Sequence, residues 1–158
     1  QEMLKRSHAH KGASFLEIYQ NCNIFNDGAF EVFTEKSSKA DETLFVEQGK
    51  PLVFGAQKNK GVRLDGLKPV VVELGSEYSE SDLWIHDEHD FYKAQLLTRM
   101  FDDPRIEGHL PRPFGVFYQA FRPTYEEVMQ AQLTDAFDRK GAGDLDKLLA
   151  GNETWTIK

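Results

Sequence analysis

The sequence predicts an α/β fold in two parts: the last helix–strand unit of an open sheet over residues 1–40, and an irregular α+β extension over residues 41–158. A helix-like segment that ends near Gly12 and leads into an apolar run, Phe15 to Tyr19, predicts the first part, because a helix followed by a strand is the repeating unit of parallel sheets. Short apolar runs separated by glycines, followed by capped helical segments, predict the second part.

The first helix–strand unit lacks the neighbours that a sheet requires. The residues from Met3 onward are helical in character, yet no capping Ser, Thr, Asp or Asn precedes them, and the chain begins at Gln1. One strand does not make a sheet, so we expect further strands to precede Gln1 and the chain to be the C-terminal portion of a longer protein. We therefore expect the apolar surface around Phe15, Leu16 and Ile18 to be exposed or covered by another copy.

Two strands are predicted in the middle of the chain, after an irregular polar stretch or short helix over residues 28–43 with a turn at "SSKAD". The strands are the apolar runs "PLVFGAQ", residues 51–57, and "KPVVVELG", residues 68–75. Between them, "KNKGVRLDG", residues 58–66, has the glycines and charges of an exposed, hairpin-like connection.

Three helices are predicted in the second part by the residues that cap them. Asp90 precedes "FYKAQLLTRMF", in which apolar residues recur at helical spacing. Thr124 precedes a helix that extends to about Arg139, and "TYEE" matches the capping box S/T-x-x-E. Asp144 precedes the short segment "LDKLLAG", and the chain closes with an extended tail, "NETWTIK".

The segment "PRPFGVFYQAF" belongs to an extended stretch, residues 102–124, that is punctuated by proline and glycine. It is too rich in aromatic residues for a solvent-facing loop. Either these side chains pack across the surface of their own domain or they cover a neighbouring subunit. The second interpretation is favoured because long aromatic arms without regular structure commonly wrap around another chain. The residues concerned are Phe114, Val116, Phe117, Tyr118 and Phe121.

Composition and charge exclude several classes of protein. The 158 residues are 40% hydrophobic and 28% charged, which is typical of a globular protein. No apolar run approaches the ~20 residues that span a bilayer, and nothing marks a secretory signal, so we expect a cytoplasmic location. The net charge of -7 argues against nucleic acid or an anionic membrane as a partner. One cysteine cannot form an internal disulfide.

Two histidine pairs are candidate metal ligands. His8 and His10 lie near the end of the first predicted helix, where the alternative role is to complement the helix dipole. His86 and His89, in "HDEH", are three residues apart and lack the i, i+4 spacing of the zinc helix H-E-x-x-H. The alternative for that pair is a solvated, acidic capping turn. A metal site is the less favoured interpretation of both pairs.

The sequence contains no complete catalytic set. Its glycines lack the spacing of phosphate-binding loops, and no G-x-S-x-G nucleophile elbow is present. The cysteine, Cys22, stands where an apolar run ends in a cluster of asparagines. It is either an inert, buried thiol or, if it lies at the carboxyl end of a strand in an open sheet, a cofactor ligand. The residues by themselves leave both alternatives open.

The stretch "HAHKGASFLEIYQNCNIFNDGAF" resembles the end of the thiamine-diphosphate-binding domain in the beta subunits of 2-oxoacid:ferredoxin oxidoreductases, in which a strand ends in a cysteine. "LWIHDEHD", "LPRPFGVFYQAFRPTYEE" and "LDKLLAGNETW" resemble the C-terminal extension of those subunits. The resemblance covers Met3 to about Trp155, and "IYQNCNIFND" is most similar to the 2-oxoglutarate-oxidising branch. It implies that residues 1–40 end the thiamine-diphosphate domain and that residues 41–158 form the extension.

The resemblance implies that Cys22 is the fourth ligand of a [4Fe-4S] cluster, whose other three cysteines lie nearer the N-terminus of such a beta subunit. Thiolates are the soft ligands that iron–sulfur clusters require, and four are normally needed, so this chain alone is expected to be inactive and to hold no cluster. The full-length enzyme would also use thiamine diphosphate and Mg²⁺. The motif that binds them lies upstream in the family, so no residue here is assigned to them.

The reaction implied by the resemblance is the oxidative decarboxylation of a 2-oxoacid to an acyl-coenzyme A, with electrons passed to ferredoxin. The implied partners are the alpha subunit, a second beta subunit, ferredoxin, the 2-oxoacid and coenzyme A. Lys58, Lys60 and Arg63 form either a docking patch for acidic ferredoxin or an ordinary solvated hairpin. An alternative function for the acidic, aromatic-rich residues 41–158 is a non-catalytic assembly module that binds the alpha subunit or a second beta subunit.

Overall fold

Two small sheets and six α-helices make up the described part of the chain, which comprises residues 1–75, 77–100, 109–155 and 157 of the computed structural model. The fold is mixed α/β, as predicted, and contains one parallel and one antiparallel sheet among these residues. The helices are α1 (Glu2–Ala9), α2 (Glu31–Thr34), α3 (Lys39–Glu42), α4 (Phe91–Leu97), α5 (Tyr125–Lys140) and α6 (Leu145–Ala150). The strands are β1 (Thr43–Val46), β2 (Val53–Phe54), β3 (Lys60–Asp65), β4 (Lys68–Glu73) and β5 (Arg112–Gly115), and a 3₁₀ helix spans Glu80–Asp82.

Internal contacts divide the chain into two units. The sheet unit comprises residues 1–9 and 15–120 and contains all the strands named above. The helical unit comprises residues 10–14 and 121–158 and contains α5 and α6. No residue of α5 or α6 is buried, whereas the sheet unit has a hydrophobic core.

The antiparallel sheet has the strand order β2-β3-β4, and its central strand corrects one prediction. Residues 58–66 were expected to form an exposed connection, but Lys60–Asp65 is the central strand, and Val62 is fully buried. Asp65 pairs with Lys68, so Gly66 and Leu67 form a two-residue loop between β3 and β4, and Gly66 has the positive φ, 60°, that such a loop requires at its first position. The prediction was wrong because the charged residues alternate with apolar ones that face the core. Of the two predicted strands, "KPVVVELG" is confirmed as β4, whereas only Val53–Phe54 of "PLVFGAQ" forms a regular strand.

The parallel sheet consists of β1 and β5, which pair from Thr43 with Arg112 to Val46 with Gly115. The prediction did not include β1, because its four residues follow a polar stretch and its partner lies about 70 residues away along the chain. Gly115 has a φ of 129° and lies so close to β1 that a Cβ atom there would stand 2.5 Å from the carbonyl oxygen of Val46. This close approach requires glycine.

The hydrophobic core of the sheet unit is formed by side chains from the two sheets, from the segment that follows the 3₁₀ helix and from α4. Burial of an aliphatic side chain of this kind contributes about 1.5–3 kcal/mol relative to its exposure. Gly61 of β3 packs against this core so tightly that a Cβ atom would lie 2.4 Å from a methyl group of Leu83. The core members are Leu44, Val46, Leu52, Phe54, Val62, Trp84, Leu97, Met100 and Leu110.

The N-terminal helix is confirmed, but the strand predicted after it is wrong. α1 ends at Ala9, and Gly12 follows with a φ of 105°. Residues 13–20 form no strand, because no neighbouring strand pairs with their backbone in the described part of the chain. The expectation of an exposed apolar surface is confirmed for Phe15, which is 92% exposed, and for Ile18, which is 66% exposed, whereas Leu16 is half-buried.

The aromatic segment after β5 packs mainly on its own unit. Phe114 contacts the rings of Phe33 and Phe45, and Phe117 packs against the core. The favoured interpretation, that the segment covers a neighbouring subunit, is therefore wrong for Phe114 and Phe117. Phe121, in contrast, is largely exposed.

The caps of the three C-terminal helices are confirmed. The carboxylates of Asp90 and Asp144 each accept a hydrogen bond from the backbone N–H three residues later, and both halves of the Thr124 capping box are formed. α4 ends at Leu97, four residues short of the predicted Phe101, which lies outside the described residues together with the rest of 101–108. None of the described helices is both long enough and apolar enough to cross a membrane.

A buried carboxylate joins distant parts of the sheet unit. Glu88 is 1% exposed, and its two oxygens accept hydrogen bonds from both terminal nitrogens of Arg6, at 2.8 and 2.5 Å. Oε2 also accepts a 2.8 Å bond from the amide of Gln119. The ion pair raises the pKa of the Arg6 guanidinium, because the hydrogen bonds and the charge of Glu88 favour its protonated form. α1 is thereby attached to the turn before α4.

We expect Arg6→Ala to lower the free energy of unfolding by about 2 kcal/mol, because it leaves the carboxylate of Glu88 buried without its cation. This is less than the ~3–5 kcal/mol of a fully buried pair, since the Arg6 side chain is 36% exposed and water screens it. The double variant Arg6→Ala/Glu88→Gln should recover part of the loss. Urea denaturation measures both effects.

Lys147→Ala is the matched control, since Lys147 contacts Asp144 at 3.9 Å in an exposed pair. It should change the free energy of unfolding by no more than about 0.5 kcal/mol. An equal effect of Arg6→Ala and Lys147→Ala would show that the Glu88 pair contributes no more than a surface contact.

Candidate functional site

Cys22 lies in a tight turn that follows the irregular segment 13–20. The backbone N–H of Asn26 donates a 2.9 Å hydrogen bond to the carbonyl of Cys22, and these two residues form an isolated antiparallel bridge. The chain therefore reverses over three residues immediately after the thiol. Cys22 is half-buried, which differs from the fully buried position typical of an inert cysteine.

The side chain of Asn21 closes this turn. Its amide nitrogen donates to the side-chain oxygens of Asn23, at 2.9 Å, and Asp27, at 3.0 Å. Its carbonyl oxygen accepts a 2.9 Å bond from the backbone N–H of Gly28. Gly28 has a φ of 75°, which a residue with a side chain adopts at a cost. The polar residues around Cys22 thus form one hydrogen-bonded cluster.

The backbone of the turn also influences the ionisation of the Cys22 thiol. Hydrogen bonds from the backbone of Phe25 and Ile24, and a smaller contribution from Asn26, lower the pKa of the Cys22 thiol, because they favour its charged form. The chemical consequence is a readily formed thiolate, which is the nucleophilic and metal-binding form of cysteine.

An aromatic cluster holds both ends of the turn in place; we use this name for Tyr19, Phe30, Phe33, Phe45 and Phe114. The ring of Tyr19, three residues before Cys22, stacks on Phe30 at 4.6 Å and meets Phe114 of β5 edge-on at 5.6 Å. The hydroxyl of Tyr19 accepts a 2.6 Å hydrogen bond from Arg112. The Arg112 guanidinium also lies 4.9 Å from the centre of the Phe33 ring.

The positioning role of Tyr19 and Arg112 was not predicted from the sequence. Both residues occur in segments that the prediction singled out, but their contact joins positions 93 residues apart. No periodicity or local motif reveals such a pair. The cluster of asparagines around Cys22, in contrast, was a usable signal for the turn.

The structure does not gather the candidate metal ligands into one site. No group of three or more His, Cys, Asp or Glu side chains with suitable geometry occurs in the part of the chain that the structure describes. His8 lies in the last turn of α1, and His10 follows that helix. Cys22 is therefore the single candidate among the described residues that retains a chemical argument for a cofactor.

His86 and His89 have a structural role instead. Nε2 of His86 donates a 2.8 Å hydrogen bond to the carbonyl of Val116, and Nδ1 of His89 donates a 3.0 Å bond to the carbonyl of Gln119. His86 is 1% exposed, so the expectation of a solvated turn is wrong for it. The two rings attach the segment after β5 to the turn before α4.

The basic patch of Lys58, Lys60 and Arg63 is partly neutralised within the chain. Lys60 forms a 2.8 Å ion pair with Asp41, and Arg63 lies 5.5 Å from the ring centre of Tyr78. Lys60 borders a cavity of about 340 Å³ that the sequence did not predict. Two further residues that line the cavity are bonded to each other, since His109 donates a 2.5 Å hydrogen bond to Glu42. The lining residues are Asp41, Glu42, Phe54, Lys60, Val71, Val72, Glu73 and His109.

Comparison with known proteins supplies a relative. The chain is 31% identical, over 160 aligned residues, to the 2-oxoglutarate oxidoreductase subunit KorB of Mycobacterium tuberculosis (strain ATCC 25618 / H37Rv). The alignment covers 99% of this chain and 41% of that protein, so the chain spans about two fifths of the length of its relative. No protein-family model and no solved structure matches. The resemblance to 2-oxoacid oxidoreductase beta subunits is confirmed by this homology.

We expect Cys22 to react with iodoacetamide at a pH below the ~8.5 at which an ordinary thiol is half ionised. In Asn21→Ala, the turn loses the hydrogen bonds that close it. The midpoint of the pH dependence of alkylation should then rise towards that of free cysteine. The measurement is the pH dependence of the alkylation rate in cluster-free protein, followed by mass spectrometry of the peptide that contains Cys22.

Asn152→Ala, in the exposed C-terminal tail, serves as the control and should leave the midpoint unchanged. If the unsubstituted protein reacted with the same pH profile as free cysteine, the backbone N–H groups would have no influence on the thiol.

Proposed function

We propose, on the premise that this chain is a homologue of a 2-oxoglutarate oxidoreductase subunit, that it is the C-terminal portion of the beta subunit of a 2-oxoacid:ferredoxin oxidoreductase in the cytoplasm. The reaction converts a 2-oxoacid and coenzyme A into an acyl-coenzyme A and CO₂, and two electrons pass to ferredoxin. The substrate that the homology favours is 2-oxoglutarate. The observation that carries the proposal is the homology over nearly the whole chain, with Cys22 in a thiolate-favouring turn as its chemical support.

Cys22 is the residue through which this chain would contribute to electron transfer. A [4Fe-4S] cluster, when bound, supplies one-electron chemistry, and it needs four thiolate ligands, of which Cys22 would be one. The Cys22 turn fits this role in two ways: the lowered pKa favours the thiolate, and the backbone N–H groups partly neutralise its charge. Hydrogen bonds to cluster sulfurs are among the factors that set the reduction potential.

The remaining chemistry would depend on groups outside these 158 residues. Thiamine diphosphate with Mg²⁺ supplies the carbanion stabilisation that decarboxylation of a 2-oxoacid requires. No described residue of this chain has the motif or the geometry to hold them. What the chain provides in this proposal is orientation: the aromatic cluster and Arg112 fix the position of the Cys22 turn relative to β5.

A second candidate function, subunit assembly, is favoured by the exposure of the helical unit. Every large apolar side chain of α5 and α6 is exposed, and Phe121, Trp155 and Ile157 are more than 80% exposed. Apolar side chains that no part of their own unit covers mark a surface for another protein. This role is compatible with that of Cys22, because the two belong to different units.

We expect Cys22→Ser, in the full-length beta subunit assembled with its partner subunits, to lower the iron content below about four per beta subunit. It should also change or abolish the electron paramagnetic resonance signal of the reduced cluster. Serine keeps the shape of the side chain but lacks the soft sulfur that iron requires.

The control for this experiment is Ala13→Ser, which introduces the same residue at an exposed position of the preceding segment. It should leave iron content and spectrum unchanged. A Cys22→Ser enzyme with the full iron content, an unchanged spectrum and unchanged electron transfer to ferredoxin would refute the assignment of Cys22.

We expect removal of residues 121–158 to dissociate the assembled enzyme if the helical unit acts in assembly. The truncation retains β5, which an earlier start of the deletion would remove from its pairing with β1. Analytical ultracentrifugation measures the assembly, and iron content shows whether the Cys22 site survives. A complex of unchanged mass would exclude the assembly function.

A further inference from the structure

α5 presents a stripe of exposed apolar side chains at intervals of four residues. These are Tyr125, Met129, Leu133 and Phe137, which are 44–76% exposed. Residues four apart lie on the same face of a helix, so the four side chains form one continuous strip along it. A helix of 16 residues is about 24 Å long, so the strip runs along most of its length.

The strip is uncovered by any described residue of the helical unit. Neither α5 nor α6 has a buried residue, and the three leucines of α6 are themselves exposed. Helices of this length are marginal in water unless they pack against a partner. A strip of this kind is typical of a surface that packs against a further partner outside the helical unit.

The charges at the two ends of α5 indicate what kind of occupant fits. The first turn carries Glu126 and Glu127, and the last turn carries Arg139 and Lys140. Glu127 closes the capping box with Thr124, and Arg139 bonds Asp135 one turn before it. Glu126 and Lys140 form no ion pair within the described part of the chain. They lie on the edges of the strip, one near each end.

We propose that the occupant is a second copy of this chain, whose α5 packs antiparallel against the first. Reversal of the helix leaves the four-residue spacing unchanged and brings the acidic end of one copy beside the basic end of the other. The register follows from the charges: with Leu133 against Leu133 of the second copy, Met129 faces Phe137 and Glu126 faces Lys140. Such a contact is isologous and has twofold symmetry, which is the commonest symmetry among protein oligomers.

Physical chemistry favours the second copy over a partner of another kind. The opposed dipoles of antiparallel helices attract each other. The twofold axis also repeats the Glu126–Lys140 pair, so that the two copies together form it twice. A parallel arrangement would place like charges together at both ends. The proposal refines the assembly role proposed above and depends on it, but it does not depend on the role of Cys22.

A charge-swap experiment tests the pairing in the full-length subunit within its complex. Glu126→Lys and Lys140→Glu should each weaken self-association about 3-fold or more, and the double variant Glu126→Lys/Lys140→Glu should restore it to within about 2-fold. Within one helix the two residues are about 21 Å apart, so rescue requires contact between copies. Sedimentation equilibrium over a dilution series measures the dissociation constant.

Leu133→Glu is the second variant, since it would place two carboxylates against each other on the axis. It should raise the dissociation constant at least 10-fold, whereas Ala131→Glu, which lies on the opposite face of α5, should change it less than 2-fold. Circular dichroism verifies that both variants keep their helical content. Iron content, measured on the same samples, should stay constant, so failure of this pairing is distinguishable from failure of the Cys22 assignment.

Two results would overturn the proposal. The first is self-association that is unchanged in Leu133→Glu or absent in the unsubstituted protein. The second is a Leu133→Glu complex that loses a different subunit while the number of copies of this chain stays the same, which would assign the strip to that subunit.

Discussion

The carboxylate of Glu88 is the constraint around which the sheet unit is arranged. A charged group taken out of water must be paired and hydrogen-bonded. The carboxylate has partners from two distant stretches of chain, and the backbone of Glu88 is bonded by a third. Arg6 of α1 binds both oxygens, Gln119 binds the side chain and the backbone carbonyl, and the side chain of Gln48 accepts from the backbone N–H. None of these stretches can move alone without leaving a buried charge or polar group unpaired.

The same segment organises the backbone on either side of it. Leu52 donates to the carbonyl of Trp84, and Trp84 donates to that of Val62, so the residues before α4 lie between β2 and β3 in the hydrogen-bond network. His86 then binds the carbonyl of Val116 immediately after β5. The turn before α4 thus connects the antiparallel sheet to the parallel one, and the position of β5 follows from it.

The position of β5 in turn fixes the Cys22 turn. Arg112 and Phe114 of β5 hold the ring of Tyr19, which stacks on Phe30 on the other side of the turn. The loop itself is closed by Asn21, and its backbone N–H groups favour the thiolate. A chain of contacts therefore runs from a buried ion pair to a partly exposed sulfur. The apolar surface beside that sulfur, which includes Ile24 and Phe25, is open to solvent in the isolated chain.

The sequence by itself determined the features that depend on neighbours along the chain: the caps at Asp90, Thr124 and Asp144, the helices that follow them, β4, and the unusual setting of Cys22. Only the tertiary structure decided the features that depend on contacts between distant residues. Residues 13–20 have a strand-like pattern but form no strand, because backbone groups need a neighbouring strand to pair with. β1 and β3 were missed, and His86 and Glu88 were taken for a solvated turn, because burial is set by what packs against a residue, and that cannot be inferred from the residue's immediate neighbours in sequence.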